Sequence, residues 1–168
     1  MTRCLVAYFS WSGNTAKVAK SLAETLSADV EEIRDVKRRS GFFAFLRSAS
    51  EASRGKSAPI MPLTRDAAEY DVVILGSPVW AQKMASPMRS YILQEKSRIK
   101  RVALFCTLGG AGGDAALSSM AALCSKASIA DLQVRDSDLK SGAWRTAVED
   151  FARRIREKGA KPGLYAVA

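Results

Sequence analysis

A chain of 168 residues with 48% apolar content is long enough to bury one substantial core and suggests one domain over residues 1–168. Its 26 basic and 17 acidic residues give a net charge of +9, but the basic residues are scattered and no nucleic-acid motif is visible. The charge therefore points to anionic small molecules or an acidic protein partner, with nucleic acid unlikely as a partner. There is no histidine, which removes Ser–His and Cys–His nucleophilic chemistry and most transition-metal sites, so an enzyme here would have to take its chemistry from a cofactor.

The three cysteines, Cys4, Cys106 and Cys124, lie far apart without CxxC spacing, which fits small buried core residues in a reducing compartment better than a disulfide framework or zinc site. No apolar run approaches the ~18 residues that a membrane span needs. The chain enters a strand pattern at once, without the layout of a signal peptide. The expectation is a cytoplasmic protein with no metal site and no catalytic side chain of its own.

In chain order, Arg3 to Phe9 is nearly all apolar, as in a parallel strand buried on both faces. Asn14 to Leu26 then places Val18, Ala19, Leu22, Ala23 and Leu26 on one helical face. Asp29 to Val36 alternates weakly and predicts an edge strand. The following basic stretch, about residues 38–62, is longer than a plain connection. It holds helical spacing over Phe42–Ser53 and then a loop with Gly55, Pro59 and Pro62. Tyr70 to Gly76 predicts the clearest strand, followed by a loop over Ser77–Met84 and a helix with Ser86 as N-cap and Pro87 in its first turn. Arg101 to Thr107 predicts another buried strand, ending in the glycine loop Leu108–Gly113, after which Asp114 can cap a helix to about Ser125. A weaker strand over Ile129–Arg135 and a helix over Ala143–Glu157 complete the pattern. Alternation of strand and helix makes this an α/β chain: a three-layer α/β/α sandwich around a five-stranded parallel sheet.

Ligands of such open sheets bind beyond the C-terminal ends of the strands, where strand order reverses. Three loops of unusual chemistry leave those ends after the first, third and fourth strands, and in the order 2-1-3-4-5 these strands are neighbours. The first loop offers Ser10, Trp11, Ser12, Gly13, Asn14 and Thr15 at a helix start, where backbone N–H groups are unpaired and an anion is favoured. Hydrogen bonds to a charged group contribute about 1.5–3 kcal/mol each, so several together outweigh the helix dipole. An ordinary Ser/Asn helix cap is the plainer alternative. The second loop carries Ser77, Pro78, Val79 and Trp80, and the third Thr107, Leu108, Gly109, Gly110, Gly112 and Gly113. No segment matches Gly-x-x-x-x-Gly-Lys-Ser/Thr, and Gly-x-Gly-x-x-Gly does not follow the first strand, so ATP and a Rossmann-bound NAD are poor candidates.

Ser10-x-Ser12-Gly13-Asn14-Thr15 after Tyr8-Phe9, Leu75-Gly76-Ser77-Pro78-Val79-Trp80 with Pro87, Tyr91 and Ile92 behind it, and Cys106-Thr107-Leu108-Gly109-Gly110 together resemble the flavodoxin family, from Arg3 to about Ile155. The resemblance implies a flavodoxin-like fold with FMN as cofactor. Ser10, Ser12, Gly13, Asn14 and Thr15 would hold the phosphate, and Pro78, Val79, Trp80 and the backbone from Thr107 to Gly113 would border the flavin ring. Trp80 would contact the ring or pack on the following helix, and Trp11 would lie near the ribityl chain or cover the loop. The third loop lacks the aromatic residue that many flavodoxins stack on the ring, and the chain is basic where soluble carriers are acidic. The function expected is a redox protein passing electrons through bound FMN to a redox partner protein. The alternatives are an NAD(P)H-dependent FMN/quinone oxidoreductase on the same fold and a non-catalytic binding module.

Overall fold

A computed structural model describes residues 1–36 and 57–160. The elements run β1 (Cys4–Tyr8), α1 (Asn14–Leu26), β2 (Asp29–Glu32), a 3-10 turn (Ala67–Glu69), β3 (Val72–Trp80), β4 (Lys83–Met84), α2 (Ser86–Glu95), β5 (Val102–Leu108), α3 (Gly113–Cys124), β6 (Ser128–Arg135), α4 (Asp136–Ser141) and α5 (Trp144–Gly159). Five strands pair in parallel in the order β2-β1-β3-β5-β6, with β4 antiparallel to the end of β3. Counting only the parallel strands, this is the expected 2-1-3-4-5 sheet.

The period of two along each strand divides the apolar residues between two cores. Leu5, Ala7, Val73, Leu75, Leu104 and Cys106 face α2 and α3, where Met88, Tyr91, Ile92, Leu117 and Met120 meet them. Cys4, Val6, Tyr8, Val72, Ile74, Ala103 and Phe105 face α1 and α5, against Val18, Leu22, Phe151 and Ile155. The central strands are apolar on both faces because each face is covered by helices. Gly76 completes the second core by omission: a Cβ there would lie 2.0 Å from Cζ of Phe105, its partner on β5.

Several local expectations need correction. Strand β2 stops at Glu32, and an isolated bridge joins Asp35 to Ile60 beyond it. The stretch Ser77–Met84 is not a free loop. Strand β3 runs to Trp80 and turns through Ala81 and Gln82 into β4. Ser86 is the first residue of α2 rather than its cap, which is Ala85, and the Ala85 N–H is taken up by Ser77 Oγ at 2.9 Å. Asp114 does not cap α3, where Gly112 occupies that position in a left-handed conformation. Its carboxylate instead accepts from the Gln133 amide. The short helix α4 had no sequence signal. The helix expected over Phe42–Ser53 lies outside the described residues, as does the basic stretch up to residue 56. From residue 57 the chain returns through Ala58, which exchanges hydrogen bonds with the Ser90 hydroxyl.

Candidate functional site

The C-terminal ends of β1, β3 and β5 lie side by side, so their three loops share one edge of the sheet. Each pair of loops is joined by a specific contact. Between the first and third, the Thr15 and Thr107 hydroxyls form a hydrogen bond of 2.7 Å, with both residues buried. Between the first and second, Trp11 meets Trp80 edge-on at 5.8 Å, and Phe9 meets the same indole at 5.6 Å. Between the second and third, the backbone of Gln82 approaches Gly112 so closely that a Cβ on Gly112 would lie 2.7 Å from the Gln82 Cα.

The first loop is uncharged from Ser10 to Thr15. Ser10 Oγ accepts from the Ala16 N–H at 3.1 Å and the Lys17 N–H bonds to Gly13 C=O at 2.9 Å, closing the first turn of α1. Among the described residues, the amides of Ser12, Gly13, Asn14 and Thr15 have no hydrogen-bond acceptor. These are the orphan donors of a helix start. Gly13 has φ +96 with nothing within 4 Å of a built Cβ, so glycine is required there by the backbone and not by crowding. Ser12 and Gly13 are exposed, and Ser10, Trp11 and Asn14 are half-buried.

The second loop is largely spent on structure. Ser77 is buried, donating to Pro78 C=O at 2.9 Å while accepting from Ala85 N–H. Trp80 is buried between Phe9 and Trp11, so Trp11 is the indole left half-exposed at the edge. Pro78 and Val79 are half-buried, Pro78 opposite Thr107 in the ladder and Val79 opposite Met84. In the third loop Leu108 is in the core and Gly113 is packed so tightly that a Cβ would meet Gln133 Oε1 at 2.0 Å. Gly109 and Gly110 are exposed and Gly112 is half-buried. Cys106, beside this loop, is buried, and burial, then Asp114 and Asp131, push its thiol up to about 12. A thiol so raised supplies no nucleophile at neutral pH.

A model of the flavodoxin family matches residues 3–151. The chain belongs to the flavodoxin family. Similar solved structures include a flavoprotein from Lactobacillus acidophilus in complex with FMN, 23% identical over 85% of this chain and 99% of that one, at a TM-score of 0.70. Another is a protein from Bacteroides eggerthii described as a flavoprotein, 21% identical over 96% and 100% of the two chains, at 0.75. A third is oxidised flavodoxin 1 from Bacillus cereus, 16% identical over 93% and 98%, at 0.56. These likenesses establish the flavodoxin fold for the chain.

Two residues at this flavodoxin edge were not singled out from the sequence. Gln82 comes from the hairpin, whose Ala81-Gln82 turn lacks the glycine or asparagine that usually marks one. Asp136 follows β6, and its Oδ1 accepts from Asn14 Nδ2 at 3.2 Å. An Asp directly after a strand end was the only signal for it. The Lys17 ammonium stands 5.4 Å from the Trp144 ring centroid, with the Arg145 guanidinium at 5.1 Å from the same ring. Among the described residues, no helix is long and apolar enough to cross a membrane.

Proposed function

We propose that this chain, acting as one flavodoxin domain, binds FMN across the three loops and carries electrons between protein partners. The observation that carries the reading is the first loop: four consecutive amides without acceptors among the described residues, beside exposed Ser12 and an obligate glycine, tied by Thr15–Thr107 to the glycine loop. Such a set suits a phosphate dianion without any cation. The residues fit the rest of the cofactor as well. Trp11 offers an aromatic surface, worth about 0.5–1.5 kcal/mol beyond area burial for an aromatic pair. Gly109 and Gly110 allow the backbone to come close to a flat ring.

In this reading Ser10, Ser12, Gly13, Asn14 and Thr15 seat the phosphate. Ser10 acts through the Ala16 amide, and Thr15 acts partly by shaping the loop, since its hydroxyl is shared with Thr107. Only one proton of that hydroxyl pair is used between the two oxygens, so the other remains to donate. Pro78, Val79, Trp80 and residues 107–113 form the walls, with Ser77 holding the hairpin and helix start behind them. The flavin supplies the one- and two-electron chemistry. The chain contributes binding, orientation and access. The carrier reading is checked by adding NADH or NADPH to the FMN-loaded protein under anaerobic conditions. The visible flavin absorption stays unchanged with either nucleotide alone and bleaches when a flavodoxin reductase is added. Direct bleaching by NAD(P)H, with turnover on a quinone, would make the chain an NAD(P)H-dependent oxidoreductase instead.

A further inference from the structure

The carboxylate of Asp136 stands at the phosphate end of the site. It belongs to the fourth strand end on this edge and reaches back 122 positions in sequence to the Asn14 side chain. Capping α4 does not require it, because Asp138 Oδ2 takes the Arg135 N–H at 2.9 Å. It forms no ion pair among the described residues. Its second oxygen, Oδ2, lies 3.0 Å from where a Cβ on Gly109 would sit. Gly109 has no positive φ, and beyond its chain neighbours no other described residue comes within 4 Å of that built Cβ. At position 109 a side chain would therefore meet Asp136, and glycine leaves the carboxylate its place between the first and third loops.

We infer that Asp136 is a positioning residue for the phosphate loop, holding Asn14 through its carboxylate while its charge opposes the anion that the loop receives. The inference rests on the FMN reading above. The Asn14 amide has two protons, of which one goes to Asp136 and the other remains for a ligand. Fixing that amide in advance lowers the ordering cost of binding. Among the described residues the carboxylate has no ion-pair partner, so a dianion bound at the neighbouring amides feels its repulsion. Position and charge thus act in opposite directions.

Asp136→Asn keeps an acceptor for Asn14 and removes the charge, whereas Asp136→Ala removes both. FMN affinity is measured by fluorescence titration of the full chain at low and high salt, and thermal melts confirm that each variant is folded. D136N binds FMN about 3- to 10-fold more tightly than D136A, the worth of one positioned hydrogen bond. It also binds about threefold more tightly than the wild type at low salt, and this second gain disappears near 1 M salt, where the screening length is about 3 Å. In an Asn14→Ala background, D136N and D136A bind alike. A purely structural Asp136 would give neither the salt-dependent ordering nor the loss of coupling in that background. Equal affinities of D136N and D136A in the otherwise wild-type chain would overturn the inference while leaving FMN binding intact. Failure of the wild-type chain to take up FMN would overturn both.

Discussion

Thr15 and Thr107 show how much of the site depends on single polar atoms. Their hydroxyls are buried against each other, one from the helix start after β1 and one from the end of β5. Thr15→Val keeps the shape and leaves the Thr107 hydroxyl without a partner, a loss of about 1–3 kcal/mol of stability. Urea unfolding of T15V measures it. The double variant T15V/T107V recovers most of the loss, because an apolar pair of the same shape leaves nothing unsatisfied. If the double variant loses as much as the two single variants added together, the two hydroxyls do not act as a pair. Trp80 teaches a related lesson. Its sequence position suggested a ring contact or helix packing, and the structure uses it as the buried centre of a Phe9–Trp80–Trp11 cluster.

Among elements, the β3–β4 hairpin departs most from local preference. Ala81 and Gln82 both have positive φ, 47 and 63, in a two-residue turn that ordinarily carries Asn-Gly. Each non-glycine residue held there costs about 1–2 kcal/mol. The hairpin persists because Trp80 is anchored in the core and Gln82 rests on Gly112. Replacing Ala81-Gln82 by Asn-Gly raises stability by about 1–2 kcal/mol, read as a higher urea midpoint with unchanged slope. A lower midpoint would mean that the Gln82 side chain contributes more than its backbone strain costs.

This hairpin also marks where the sequence stopped being legible. The central strands, α1 and α5 could be read because their apolar periodicity is the same signal that drives burial. The turn at Ala81-Gln82 and the reach of Asp136 to Asn14 could not, because tertiary contacts hold them against or apart from local propensity. The hydroxyls and glycine of Ser10–Thr15 and the helix that follows could be read from the sequence, and they support the anion site proposed above. The coupling of Thr15 to Thr107 could not, since the bond joins residues 92 apart.

For the whole molecule, the absence of histidine leaves no ordinary side chain titrating between about pH 5 and 8. Burial pushes the Cys106 thiol up to about 12 and the Cys124 thiol up to about 11, from 9.0, and raises Cys4 and Tyr91 as well. Raised acids bind their protons more tightly in the native state. Their contribution is therefore fully present below pH 9 and is lost as pH rises from about 9 towards 12, where the unfolded chain ionises first. The urea midpoint is accordingly flat near neutrality and falls above pH 9. An equally flat profile to pH 11 would show that these groups are not buried as described.

On the proposed reading, the sheet edge built by β1, β3 and β5 holds FMN, with residues 10–15 as its phosphate loop. Equilibrium titration of the purified chain with FMN and, separately, with riboflavin tests it most directly. One FMN binds per chain, with a perturbed visible spectrum and quenched tryptophan emission. Riboflavin, which lacks the phosphate, binds at least about 100-fold more weakly, the equivalent of two charge-assisted hydrogen bonds. Equal affinity for the two flavins, or no uptake of FMN, would contradict it.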